Sequence, residues 1–133
     1  MDLLLDTHTF LWFGQDNAQL SPYAKLLLMD GRNQRFLSAA SIWEMAIKVS
    51  NGKLNLQVPL EDFLSAQFMA QRISLVPIEI PHVVRVSAML FSDRTLPHHD
   101  PFDRLIIAQS LTLNMPVVGN DTVFDAYGVR RLW

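Results

Sequence analysis

Three short apolar runs, each followed by a helical pattern, constrain the fold of this chain more than any other feature. Leu3–Leu5 ends at Asp6, Phe36–Ser38 precedes a helical segment, and Val117–Val118 is followed by a short helix from Asp121. Continuous apolar runs of this length are typical of strands that are buried on both faces. Such strands alternating with helices predict a parallel sheet covered by helices on both sides.

The same alternation extends along residues 1–133 and predicts one α/β domain, with three α/β/α layers and a central parallel sheet of four to five short strands. Two further strands are expected at the sheet edges, because Pro77 confines Leu75–Glu79 to an edge and Val129–Trp133 is terminal. Helices are expected at 7–14, 22–29, 41–49, from 59 onward, and at 81–91, 101–113 and 121–126.

Composition excludes several classes of protein. The chain has no cysteine, which excludes disulfides and thiolate metal sites, and it has no GxGxxG, Walker A, HExxH or GxSxG motif. The amino terminus has acids at positions 2 and 6 and does not resemble a signal peptide. No apolar run approaches the about 20 residues that span a bilayer. We therefore expect a soluble, cytoplasmic domain without a membrane partner. Its net charge of −2 neither indicates nor excludes nucleic-acid binding.

Four acids lie where a parallel sheet binds its ligands, just beyond the carboxyl ends of strands or at helix starts. They are Asp6, Glu44, Asp103 and Asp121. Each also has a simpler explanation as a helix-capping or first-turn acid, with Glu44 as the capping-box partner of Ser41. If the sheet brings them together, however, their mutual repulsion favours binding of a cation. Hard oxygen ligands select Mg²⁺ or Mn²⁺, which suggests phosphoryl chemistry.

The two aspartates of the segment DPFDR are predicted to have different roles. Asp100 precedes Pro101, the register of an N-cap followed by proline at the first helical position, so Asp100 is assigned to capping. Asp103 falls at the third helical position, where its side chain is available to a metal. Arg104 either pairs with a neighbouring acid or contacts a substrate phosphate.

The motifs taken together resemble the VapC-type PIN domains. The residues that carry this resemblance occur in the family's order over essentially the whole chain, and they are LLLDTH at 3–8, SAASIWE at 38–44, Lys48, GKL at 52–54, DPFDRLIIAQ at 100–109, and Asn120-Asp121 with Phe124 and Tyr127.

The resemblance implies a PIN-like fold and a Mg²⁺- or Mn²⁺-dependent endoribonuclease, the toxin of a type II toxin–antitoxin pair. It implies that Asp6, Glu44, Asp103 and Asp121 form the metal pocket. Single-stranded or structured RNA would be cut by water, which leaves 5′-phosphate and 3′-hydroxyl ends. The implied partners are RNA and a VapB-like antitoxin, in a homodimer or a hetero-oligomer with the antitoxin.

Several residues near these motifs have less certain roles. Thr7 either bonds a water or phosphate in the pocket or caps its helix locally. His98 and His99 are assigned to loop structure rather than to catalysis. Gly119 replaces the threonine that many relatives carry, so a hydroxyl that helps to order the pocket is missing. The tryptophans are expected in the core rather than stacked on bases, and these are Trp12, Trp43 and Trp133.

Two alternatives remain open. The first is a metal-dependent phosphatase on a similar sheet, with Asp6 as the nucleophile, but this reaction requires a second acid where the chain has His8. The second is a non-catalytic PIN-like binding module in which the acids serve only as helix caps.

Overall fold

The computed structural model describes the backbone of residues 1–92 and 100–133 and the side chains of residues 1–89 and 100–133. Five parallel strands form one sheet in the order β3-β2-β1-β4-β5. Their bounds are β1 Asp2–Leu5, β2 Gln34–Ser38, β3 Ile73–Val76, β4 Val117–Val118 and β5 Arg131–Leu132.

Helices connect these strands and cover the sheet, which confirms the predicted α/β class. The helices are α1 Thr7–Gly14, α2 Pro22–Met29, α3 Ala39–Ser50, α4 Leu60–Ala70, α5 Ile80–Ser92 and α6 Pro101–Leu113, followed by a 3₁₀ helix at Thr122–Tyr127. Across the described residues, every helix is too short or too polar to span a bilayer.

Strand β1 supplies side chains to both faces of the sheet, because successive residues of a strand point in opposite directions. Leu3 and Leu5 pack in the cluster that includes Phe10 of α1 and Leu28 of α2. Leu4 packs on the other side, in the cluster that includes Ile106 of α6. The sheet therefore has a helical layer on each face, and its central strand is wholly buried after Asp2.

The chain changes direction across the sheet at β1. It first builds outward through β2 to β3, then returns to the other side of β1 for β4 and β5. Leu5 is in register with Leu37 on one side and with Val118 on the other. The strand order thus reverses between β1 and β4, which is where open parallel sheets form a crevice for ligands.

Several predicted boundaries differ from the structure by one or more residues, and two of the differences have a clear physical reason. Helix α3 begins at Ala39 rather than Ser41, because Ser38 is its N-cap and accepts a hydrogen bond from the Ala40 N–H at 3.0 Å. The third strand was expected at Leu75–Glu79 but spans Ile73–Val76. It ends before Pro77, which has no N–H to donate to a neighbouring strand. Its predicted position at a sheet edge is confirmed, and so is that of β5.

Candidate active site

Asp6 lies at the carboxyl end of the central strand, beside the reversal of strand order. Its N–H donates to the Val118 carbonyl at 3.1 Å, and its own carbonyl accepts the first hydrogen bond of α1, from Phe10. Asp6 is 5% exposed and occupies the N-cap position, but within the described part of the chain its carboxylate makes no capping bond to α1. The capping explanation therefore fails for the side chain of Asp6.

Burial raises the pKa of Asp6 from its ordinary value of 3.8 to about 7. The nearby backbone N–H of Thr7 acts in the opposite direction, while repulsion by the carboxylates of Glu44, Asp121 and Asp100 raises this pKa further. These four carboxylates define what we call the acidic crevice. A buried acid surrounded by other acids ionises readily only when a cation is close.

Glu44 reaches the acidic crevice from α3 and is 7% exposed. Its Oε2 lies 3.1 Å from Nζ of Lys48, one turn further along the helix. The predicted capping box is wrong, because Ser41 lies inside α3 rather than at its N-cap. The ammonium group of Lys48 thus partly neutralises Glu44. Among the described residues, no basic side chain forms an ion pair with Asp6.

Thr7 joins the starts of two helices instead of capping its own. Its hydroxyl donates to the Ser41 hydroxyl at 2.9 Å, and both side chains are buried. This bond connects the first turn of α1, next to Asp6, with the helix that carries Glu44. Thr7 is therefore placed to fix the spacing of these two acids.

The two aspartates of the DPFDR segment differ as predicted in their capping. The Asp100 carboxylate accepts hydrogen bonds from the N–H groups of Phe102 at 2.9 Å and Asp103 at 3.1 Å, so its capping role is confirmed. Asp100 also raises the pKa of Asp6, an influence on the pocket that the sequence did not indicate. Asp103 and Arg104 follow in the first turn of α6, both half-buried. His98 and His99 lie outside the described residues.

Asp121 stands on the β4 side of the crevice and serves two purposes. Its Oδ1 accepts a hydrogen bond from the Val123 N–H at 3.0 Å, which caps the 3₁₀ helix. It is exposed, yet it is close enough to Asp6 to raise the pKa of that residue. Asp121 is thus both a cap and a member of the acidic crevice.

Gly119, directly after β4, lies against the side chain of Asp6. A Cβ atom added to Gly119 would lie 3.0 Å from the Cβ of Asp6, which is tighter than ordinary van der Waals contact. The missing threonine at this position therefore leaves room that the Asp6 side chain uses. A larger residue here would displace the central acid.

The donor chemistry of the site fits a divalent cation of the magnesium type. The available ligands are carboxylate oxygens, which hard cations prefer, and a nearby positive charge would lower the high pKa of Asp6. Among the described residues, however, no three histidine, aspartate or glutamate side chains are already arranged around one ion position. A cation held by three of these carboxylates would therefore require their side chains to adopt other rotamers.

Trp43 is the residue near the site whose environment the sequence did not predict. Its expected burial is wrong, since Trp43 is 54% exposed. Its ring packs edge-to-face on Phe102, with centroids 5.1 Å apart and an interplanar angle of 82°. Trp12 and Trp133 do pack against the core, as expected. The only sequence signal for Trp43 was its place directly before Glu44.

Comparison with solved structures finds the same fold at low sequence identity. VapBC2 from Rickettsia felis, solved with a DNA fragment from its promoter, matches with a TM-score of 0.72 and 15% identity over 99% of this chain and 98% of the other. VapBC-1 from nontypeable Haemophilus influenzae matches with a TM-score of 0.68 and 14% identity over 99% and 97%. FitAcB from Neisseria gonorrhoeae matches with a TM-score of 0.60 and 21% identity over 98% and 96%.

Sequence comparison assigns the family directly. A search of curated proteins finds no match. A sequence profile described as PIN domain matches residues 3–129, a range that contains the sheet from Leu3 to β4 and every acid of the crevice. With that profile covering nearly the whole chain, and the solved folds agreeing with it, the chain belongs to the PIN-domain family.

Proposed function

We propose that residues 1–133 form a single PIN domain that acts in the cytoplasm as a Mg²⁺- or Mn²⁺-dependent endoribonuclease, the toxin of a toxin–antitoxin pair. One observation carries this proposal. Asp6 is buried at the reversal of strand order, and burial together with the neighbouring acids raises its pKa to about 7. A site that concentrates negative charge in this way favours a bound cation, and hard cations of this kind assist phosphodiester hydrolysis.

Each acid contributes to the proposed chemistry from a different element. Asp6, Glu44, Asp103 and Asp121 would hold the cation from β1, α3, α6 and the start of the 3₁₀ helix. When bound, Mg²⁺ or Mn²⁺ activates water as a nucleophile and stabilises the negative charge that develops on the phosphate.

The remaining residues position this set. The hydrogen bond from the Thr7 hydroxyl to the Ser41 hydroxyl fixes the position of α3 relative to Asp6. The ion pair with Lys48 restrains the carboxylate of Glu44, which would also be a ligand of the cation. Arg104, in the first turn of α6, is proposed to contact a substrate phosphate. Attack by water rather than by the ribose 2′-hydroxyl leaves 5′-phosphate and 3′-hydroxyl ends.

The proposed protein partner is a VapB-like antitoxin that covers the site. The likeness of the fold to chains of VapBC and FitAB toxin–antitoxin complexes over nearly the whole length supports this part of the proposal. The toxin is proposed to form a homodimer or a hetero-oligomer with its antitoxin.

Neither alternative is favoured by a specific observation. A phosphatase needs a second acid two residues after Asp6, but His8 is exposed there and its ring lies 5.4 Å from that of Trp12. A non-catalytic module needs the acids to be caps. Capping accounts for Asp100 and Asp121 but not for Asp6, whose carboxylate does not cap α1 in the described structure.

The decisive experiment is cleavage of a 5′-labelled single-stranded RNA by the purified chain. We expect cutting with Mg²⁺ or Mn²⁺, none with EDTA, and 5′-phosphate ends. Asp6→Asn should reduce the rate by about 100-fold or more, because loss of a ligand removes several kcal/mol of charge stabilisation. Asp16→Asn is the matched control, since Asp16 pairs with Lys25 on the surface.

Three outcomes would contradict the proposal. Release of phosphate from small monoesters without RNA cleavage would indicate the phosphatase. Equal Mn²⁺ binding by the native chain and by the double variant Asp6→Asn with Asp103→Asn would remove the metal site. Cleavage that persists in EDTA would remove the role of the metal.

A further inference from the structure

An aromatic pair joins two helices, α3 and α6, that carry acids proposed to hold the cation. Trp43 directly precedes Glu44 in α3, and Phe102 directly precedes Asp103 in α6. The two rings meet edge-to-face at 5.1 Å between centroids. Each ring is therefore next in sequence to an acid that is proposed to hold the cation.

The indole of Trp43 is held in place and yet remains accessible. The perpendicular packing on Phe102 fixes the orientation of the ring, as aromatic pairs of this geometry do. Phe102 is itself fixed, because its backbone N–H donates to the Asp100 cap. Trp43 nevertheless keeps 54% of its surface exposed, although tryptophan is among the residues that gain most from burial.

The charge distribution indicates that the affinity for RNA needs a contribution that is not electrostatic. The chain has a net charge of −2, and the crevice concentrates carboxylates that repel phosphate. Lys48, the basic residue beside them, is already paired with Glu44. Apart from the proposed cation and Arg104, electrostatic attraction to the phosphate backbone, which dominates binding by basic proteins, is therefore limited here. Stacking of a base on an aromatic ring is the main uncharged alternative and tolerates any base.

We propose that Trp43, oriented by Phe102, is a stacking platform for one unpaired nucleobase next to the phosphate that is cut. This inference rests on the proposed ribonuclease function and narrows its substrate to RNA that is single-stranded at the cleavage site. A base within a duplex stacks on its neighbours on both sides and cannot offer a face to the indole. Met69 and Ile80 are more exposed than Trp43 but are not aromatic. Tyr23, which is 50% exposed, lies on α2, a helix that supplies none of the crevice acids.

The test is steady-state cleavage of a single-stranded RNA and of the duplex of the same sequence, with Mg²⁺ present. Trp43→Leu should raise KM for the single strand by roughly 5- to 100-fold, the range measured for loss of one stacked base, with little change in kcat. Trp43→Phe should recover most of the affinity, since it keeps an aromatic face. Native enzyme should cut the duplex far more slowly than the single strand.

Two controls separate stacking from other effects. Met69→Ala removes a side chain that is 82% exposed on α4, and its KM should equal that of the native chain. Mn²⁺ binding should be the same in the native chain and in Trp43→Leu, because the indole is not a ligand. Trp43→Gln provides a second, polar replacement, and it should match Trp43→Leu in KM.

The outcomes distinguish this inference from the function on which it rests. If the native chain cuts no RNA, the proposed function fails. If it cuts RNA but Trp43→Leu and Trp43→Gln leave KM unchanged, only the stacking platform fails. Equal cleavage of duplex and single strand would also overturn the platform. An unchanged KM together with a changed oligomeric state of the Trp43 variants would overturn it too, because it would indicate that Trp43 contacts another protein chain.

Discussion

The acidic crevice and the outer surface of this protein place aspartates in opposite environments. On the surface, Asp16, Asp30 and Asp125 each pair with a basic side chain, at 2.9, 2.8 and 2.9 Å. These cations lower the pKa of each acid, that of Asp30 to about 2. In the crevice, Asp6 is buried among other acids and its pKa rises to about 7. The chain thus pairs these surface acids with basic side chains and leaves the buried Asp6 among other carboxylates.

The largest expected effect is on the pH dependence of stability. Because the pKa of Asp6 is about 7 in the folded chain and about 3.8 when unfolded, the folded state binds more protons between these values. Stability should therefore fall as the pH rises from about 4 to about 7. Asp6→Asn should remove this loss of stability. The difference between the two pKa values corresponds to at most about 4 kcal/mol in the free energy of unfolding. Urea unfolding at pH 4 and pH 8 without divalent metal measures it.

Asp30→Asn is the matched variant for this measurement, because it should act in the opposite direction. Its pKa is low in the folded chain, so its charge stabilises the fold above the ordinary value of 3.8, and this contribution disappears as the pH falls toward 2. We expect Asp30→Asn to be less stable than the native chain at pH 8 and equal to it at pH 2. If both variants changed stability in the same direction at pH 8, the contrast between crevice and surface would be wrong.

A second prediction separates the two acids of the DPFDR segment. Asp103→Asn should weaken Mn²⁺ binding by about 10- to 100-fold, since losing a carboxylate ligand costs at least as much as losing a supporting contact. Asp100→Asn should weaken it much less, because asparagine caps a helix almost as well as aspartate. Isothermal titration with Mn²⁺ gives both values. Equal losses would mean that Asp100 is a ligand as well as a cap.

The smallest effect is expected at Gly119, where β4 approaches Asp6. Gly119→Thr places a Cβ atom 3.0 Å from that of Asp6, so the acid must shift. We expect a loss of stability of about 1 to 3 kcal/mol, as for other crowded core positions, and weaker Mn²⁺ binding. Gly31→Ala is the control, because a Cβ there meets no atom within 4 Å. If Gly119→Thr bound Mn²⁺ more tightly, the absent hydroxyl would matter more than the space.

The layered fold was predictable from the sequence because it depends on local patterns. The apolar run at Leu3–Leu5 is buried on both faces, and the cap at Asp100 forms as its following proline indicates. Boundaries were harder where two signals compete within a few residues. Ser38 and Ser41 are both good N-caps, and only the end of β2 decides between them.

The site was predictable only as a set of candidates. The candidate acids stand near recognisable helix starts or strand ends, but the approach of Glu44 and Asp121 to Asp6 depends on the strand order, which brings residues on both sides of β1 together. The influence of Asp100 on Asp6 and the packing of Trp43 on Phe102 come from the docking of α6 beside α3. No periodicity in the sequence reports a contact of that kind.

Strand β4 pairs with β1, since Leu4 is in register with Val117, although β4 is synthesised more than 100 residues later. A growing chain therefore contains Asp6 and Glu44 well before Asp121 has been made. At typical rates of synthesis of about 5 to 20 residues per second, the interval is roughly 4 to 15 s. In the proposed ribonuclease, the set of four acids is therefore incomplete until Asp121 has been synthesised, so a shorter nascent chain should not cut RNA.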